Sequence, residues 1–106
     1  MGRNTIASGF NATAFGIRTK ASSWYATTFG QGNEANSRPE MVIGSYNSLK
    51  TSLGGTRDWH PLDQLFVIGN GTGSTTACRT DALVMLKDGF TSHSGIWTGA
   101  RVYYCL

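Results

Sequence analysis

Small and apolar positions recur through the first half of the chain every 14 residues. Ala14-Phe15-Gly16, Thr28-Phe29-Gly30 and Val42-Ile43-Gly44 are one triplet repeated in register. A weaker half-repeat of seven runs beneath it. It places Ala7, Ala14, Ala21, Thr28, Ala35 and Val42 in one column, with Gly9, Gly16, Ser23, Gly30, Ser37 and Gly44 two places on. Such self-similarity predicts a stacked solenoid, in which each coil cannot bury its own apolar face and leans on its neighbours.

A spacing of seven also fits a heptad, but the chemistry excludes a coiled coil. A heptad seam needs Leu, Ile or Val at two positions per repeat, whereas one column here is mostly Ala and the other only Gly or Ser. Glycine inside a helix costs about 1 kcal/mol relative to Ala each time it recurs. Short strands joined by tight turns suit the same residues, because glycine supplies positive φ and close backbone approach. A hexapeptide β-helix, with its six-residue repeat and aliphatic inward residue, does not match the period. The expected class is all-β, a β-roll of 14-residue coils with two strands per coil.

The register breaks after the third triplet. From Ile43 to the matching Ile68 is 25 residues, one coil and an excess of 11, which places an insertion within residues 48–63. It carries Lys50, Arg57, Asp58, Trp59, His60 and Pro61, a richer set of side chains than any coil offers. Loops projecting from a rigid scaffold are where binding concentrates. Arg57, Trp59 and His60 are therefore the candidate ligand-binding residues, and the competing expectation is that Trp59 and Leu62 fold back to cap the roll. Beyond it, Leu65-Phe66-Val67-Ile68 and Leu83-Val84-Met85-Leu86 read as strands separated by the turn signal Gly69-Asn70-Gly71-Thr72-Gly73-Ser74. Gly95-Ile96-Trp97-Thr98 and Arg101-Val102-Tyr103-Tyr104 also favour extended structure. The chain thus divides into head repeats at 1–47, an insertion loop at 48–64, closing strands at 65–89 and a tail at 90–106.

At these residues a resemblance enters. Ala12-Thr13-Ala14-Phe15-Gly16, Ala26-Thr27-Thr28-Phe29-Gly30 and Met41-Val42-Ile43-Gly44 resemble the YadA-like head repeat of trimeric autotransporter adhesins. Residues 65–72 followed by 81–89 resemble the closing segment found after such repeats in bacterial surface proteins and phage tail fibres. The similarity covers roughly two thirds of the chain. It implies a left-handed parallel β-roll, a parallel homotrimer, display at the cell surface, and attachment to a host, matrix-protein or glycan ligand. The alternative within the same resemblance is a rigid spacer of a phage or bacterial surface fibre, with recognition elsewhere. No cofactor is implied by either.

Composition sharpens the need for a partner. The chain has 14 glycines and only 14% charged residues among its 106. Small residues bury little apolar area, while ordering each residue costs on the order of 1–2 kcal/mol. Missing burial is expected from other copies. The column Phe15, Phe29, Ile43 and Ile68 either fills the coil interior or faces a neighbouring subunit, and Gly16, Gly30, Gly44 and Gly69 form the structural glycine column beside it.

Other motifs carry less. Gly69-Asn70-Gly71 lacks the third glycine and the helix of a dinucleotide loop. Val102-Tyr103-Tyr104-Cys105 has an immunoglobulin-like look, but Cys78 is too near to be its partner. Two cysteines form one disulfide or none. The two histidines, His60 and His93, show no metal-ligand spacing, and no nucleophile arrangement points to an enzyme. The net charge of +3 comes from dispersed Lys and Arg, which argues against a dedicated nucleic-acid track. In a trimer those charges are triplicated into rings suited to weak, multivalent attachment to a sulfated or matrix surface. No apolar run reaches the ~20 residues of a membrane helix, and no signal-peptide core follows Met1. The chain is expected to be a head fragment of a longer surface-exposed fibre.

Overall fold

Alternation along each long strand decides what the coil encloses. In β3 (Thr13–Ile17) Ala14 is buried while Phe15 and Ile17 are exposed, and the following coil repeats the arrangement in β5 (Thr27–Gln31) with Thr28 buried and Phe29 exposed. The structure, a computed structural model, describes residues 1–93. The expected extended segments at 95–98 and 101–104, and Cys105, lie outside them.

Among the described residues the coils stack as two parallel sheets. β1 (Gly2–Arg3), β3, β5, β7 (Met41–Ser45) and β8 (Gln64–Asn70) run parallel in the larger sheet, which continues antiparallel through β9 (Asp81–Leu86) and β10 (Thr91–His93). The smaller sheet holds β2 (Ile6–Ala7), β4 (Lys20–Ala21) and β6 (Glu34–Ala35). The register is the repeat read from the sequence: Gly2 pairs with Gly16, Phe15 with Phe29, Ala21 with Ala35. Across the insertion Ile43 pairs with Ile68 and Gly44 with Gly69. The protein is a β-solenoid of about three turns with coils of about 14 residues. Backbone bonding continues around the corners, where Lys20 N donates to Asn33 O at 2.8 Å and Thr27 N to Glu40 O at 2.9 Å. Little of the coil backbone is therefore left unpaired between turns.

The interior is narrow. Its apolar lining is Ala14, Ala21, Ala26, Ala35, Val42 and Val67, with Val84 of β9 packed against it. The two valines are the bulkiest side chains fully buried there. Fully burying a valine stabilises by about 1.5 kcal/mol and an alanine by less, so the interior supplies little per coil. The polar column Thr19, Asn33 and Asn47 fills one corner and is bonded throughout. Thr19 Oγ1 donates to Phe15 O at 3.1 Å, and Asn33 Nδ2 to Phe29 O and Gly44 O at 2.7 and 2.9 Å. Asn47 ends the smaller sheet: its side chain accepts from Glu34 N and donates to Glu34 O, where a further strand would otherwise pair.

Phe15, Phe29, Ile43 and Ile68 lie on the outer face of the larger sheet, so they do not fill the coil. The Phe15 and Phe29 rings stack at 5.1 Å with 4° between planes, both open to solvent. Antiparallel pairing of Ile68 with Leu83 and of Phe66 with Met85 extends this apolar face across the closing strands.

The glycine column is fixed by contact between coils as well as by dihedral. Gly16, Gly30 and Gly44 have φ of 112°, 112° and 96°. A Cβ on any of them would run into the carbonyl oxygen of the glycine one coil on. Gly30→Val is therefore expected to cost more than about 2 kcal/mol through strain and forced separation of the coils. Gln31→Val, exposed on the same strand, should stay within about 0.5 kcal/mol of the parent. Thermal melts of the two variants check this, and equal melting temperatures would contradict the stacking described.

Candidate ligand-binding corner

The insertion leaves the roll after Asn47 and returns at Gln64, and Asp63 holds its base. The Asp63 carboxylate accepts from Leu53 N at 2.6 Å, Gly54 N at 2.9 Å and Ser52 Oγ at 2.9 Å. Burial pushes this carboxyl up, but those hydrogen bonds and the Lys87 charge outweigh it and hold it below the usual aspartate value. The loop is thereby folded on itself as a tight unit.

Its far end docks on a corner of the roll. Trp24 N donates to Thr56 O at 2.8 Å, and Arg38 Nη1 to Arg57 O at 3.0 Å. The Arg57 guanidinium lies over the Trp24 ring at 5.2 Å from its centroid, and that of Arg38 over Tyr25 at 5.1 Å. Phe10 completes the cluster, 5.3 Å from Trp24 and edge-on to Tyr25 at 6.0 Å. Phe10 and Tyr25 remain exposed. Each cation–π contact contributes about 0.5–1 kcal/mol at such a site and, more usefully, holds a guanidinium in a defined plane.

The loop residues expected to act together do not gather. Arg57 joins Phe10, Trp24, Tyr25 and Arg38 of the coils. Trp59 is 55% exposed, and among the described residues makes no ring or cation contact. His60 is half-buried and its Nδ1 accepts from Leu62 N at 3.1 Å, a local turn. Leu62 is itself exposed, so neither it nor Trp59 caps the roll. The coil contributors were legible in the register: Phe10, Trp24 and Arg38 stand 14 residues apart, one per coil.

Between the loop and the smaller sheet lies an open cleft of about 390 Å³, walled by Ser22, Glu34 and Asn36 on one side and Lys50, Ser52 and Thr56 on the other. Thr56 thus belongs to the cleft while its carbonyl seats the loop on Trp24. Glu34 is paired with Arg79, whose Nη2 lies 3.9 Å from Glu34 Oε2. Among the described residues no group of three or more His, Cys, Asp or Glu side chains is placed to hold a metal ion.

A buried polar cluster fastens the other side of the insertion. Glu40 occupies the register position of Ala12 and Ala26, so the third corner puts a carboxyl where the earlier coils put a methyl. It is only 2% exposed. Its Oε2 accepts from Asn36 N at 2.7 Å and Ser37 N at 3.1 Å, while Oε1 has no protein partner. Lys87 Nζ donates to Ser37 Oγ at 3.0 Å and Gln64 O at 3.1 Å, tying the closing strands to the same corner. Burial raises the Glu40 carboxyl to about 7 against the backbone hydrogen bonds and the Lys87 charge, which lower it. Burial likewise lowers the Lys87 ammonium, opposed by Asp63 and Glu40.

Comparison with models of known protein families, with curated proteins and with solved structures gives no match, so the reading of this corner rests on its own geometry.

The Glu40 cluster makes stability depend on pH with a defined sign. Glu40 binds its proton more tightly folded, at about 7, than unfolded, near 4.5, so its contribution falls as pH rises between those values and levels off above. Lys87 is the charged group that acts on it, and its charge lowers the Glu40 carboxyl against the burial that raises it. Glu40→Gln keeps an acceptor for Asn36 N and Ser37 N and removes the charge. It is expected to raise stability at pH 8 by on the order of 2 kcal/mol and to flatten the profile from pH 5 to 8. Denaturant titrations at the two pH values check this; a variant with the parent's slope would contradict it.

Proposed function

We infer that this chain is the head of a homotrimeric surface fibre that attaches its bearer to a host, matrix or glycan ligand, without catalysis. The observation that carries this reading is the outer apolar face of the larger sheet. Phe15, Phe29 and Met41 are exposed on it, and the register continues the row through Ile43, Ile68 and Leu83. A row of this kind, matched to the coil repeat, is complementary to the same row on another copy, and a parallel trimer would bury it along the fibre axis. The narrow interior supports the same conclusion, because so little apolar area is enclosed by one chain.

In that arrangement the corner formed by Phe10, Trp24, Tyr25, Arg38 and Arg57 is displayed three times around one axis. Loops of weak affinity then act together, and avidity of 10²–10⁴-fold follows when geometry permits simultaneous contact. A left-handed β-roll is the form expected by resemblance to YadA-like heads, and surface display follows from the same resemblance.

Light scattering coupled to size exclusion is expected to give three times the chain mass of 11.4 kDa. A monodisperse monomer at micromolar concentration would overturn the trimer. The double substitution of Arg57→Ala with Trp59→Ala should abolish attachment of the trimer to matrix-protein or glycan arrays, leaving its mass unchanged and lowering stability by no more than about 1 kcal/mol, the worth of the lost Arg57–Trp24 contact. Normal attachment by that variant would favour a rigid spacer with recognition elsewhere.

A further inference from the structure

We propose that the corner built by Phe10, Tyr25, Arg38 and Arg57, together with the cleft behind Thr56, binds an anionic polysaccharide. This deepens the attachment reading above and rests on it. Two guanidiniums lie here without any carboxylate within 4.0 Å, the Arg79–Glu34 pair being the one ion pair among the described residues. Among the described residues Arg57 donates no side-chain hydrogen bond, and Arg38 gives only Nη1, to Arg57 O. Each guanidinium carbon lies over an aromatic ring, at 5.1 Å for Arg38 on Tyr25 and 5.2 Å for Arg57 on Trp24, and a guanidinium fork anchored in this way suits bidentate contact with carboxylate or sulfate.

The surroundings favour a sugar over other polyanions. Phe10 is 57% and Tyr25 40% exposed, offering apolar surface to the C–H faces of a pyranose ring. The cleft beside them is lined by Thr56 and Lys50, which face a ligand with a hydroxyl and an ammonium, and by Ser22, Asn36 and Ser52, which already bond within the protein; Glu34 on the same wall is paired with Arg79. A nucleic acid is less well suited, because Trp24 is covered by Arg57 and flanked by Phe10 and the chain's Lys and Arg are dispersed with no row of cations to follow a phosphate backbone. Asp58, exposed next to Arg57, sets a limit on affinity at one site and makes three sites the effective unit.

Titration calorimetry of the intact protein with four probes tests this: a sulfated uronate oligosaccharide, hyaluronan, maltodextrin and single-stranded DNA. Binding is expected for the sulfated probe, and more weakly for hyaluronan, with affinity falling as salt is raised. Maltodextrin and DNA should not bind. Arg57→Lys keeps the charge but loses the fork, and is expected to weaken binding at least about tenfold while melting as the parent does. Arg18→Gln removes an equivalent exposed charge elsewhere and should bind as the parent. Equal binding by the Arg57→Lys variant, equal loss in the Arg18→Gln variant, or DNA bound more tightly than either acidic glycan would overturn the proposal. So would failure to bind either glycan by a trimer that still adheres to a matrix-protein array, and that outcome would leave the attachment reading standing.

Discussion

The distance between stacked backbones governs this molecule. Glycines at 16, 30 and 44 let each coil settle against the next so closely that no Cβ fits between them. The same closeness limits the apolar interior to alanines and two valines, with small or hydrogen-bonded polar side chains such as Thr28, Asn33 and Asn47 filling the rest. Hydrogen bonding in the parallel ladder is satisfied without side chains, so the stack is specific even where its core is thin. Bulk has to go outward. Phe15 and Phe29 stack on the outer face because the inside of a 14-residue coil has no room for a ring.

From that constraint follows the unusual distribution of polar groups. A solenoid end must be closed, and here the closing strands are fastened by two cations reaching back into the coils. Lys87 bonds Ser37 Oγ and Gln64 O, while Arg79 bonds Gly32 O at 2.9 Å and Asn47 O at 3.3 Å and lies over Tyr46. Charged hydrogen bonds of this kind are worth about 1.5–3 kcal/mol each, comparable to burying a large aliphatic side chain. Glu40 is the cost of this arrangement. Its burial beside Lys87 leaves one oxygen without a protein partner and shifts its proton affinity into the neutral range.

Much of the fold was legible because repeats make register visible. The spacing of Gly16, Gly30 and Gly44 gave the strand pairing, and the 25 residues from Ile43 to Ile68 located the insertion. Less legible was the direction of the Phe15 row, since the Ala14 and Phe15 columns recur with the same period and either could face inward; only the width of the coil decides. The corner was half legible. Loop composition points to Arg57, Trp59 and His60 together, but Arg57 contacts Trp24 and Arg38 of the coils, 33 and 19 residues away in sequence, which loop composition does not show. Glu40 breaks the Ala12 and Ala26 column, a signal present in the 14-residue register itself.

The placement of the corner has a physical logic within the solenoid. A coil repeats its outer side chains at the strand spacing of about 4.8 Å, which suits pairing with another repeat but offers little chemical variety. Variety enters where the repeat is interrupted. The insertion lays Arg57 across a column of coil residues, Phe10, Trp24 and Arg38, that the 14-residue period has already aligned. The rigid stack thus orients one wall and the loop supplies the other, while Asp63 at the loop's base keeps that wall from moving independently. Substitutions of loop side chains can then change the chemistry of this corner with little effect on the stack, because the coils are held to one another by backbone bonds and glycine contacts.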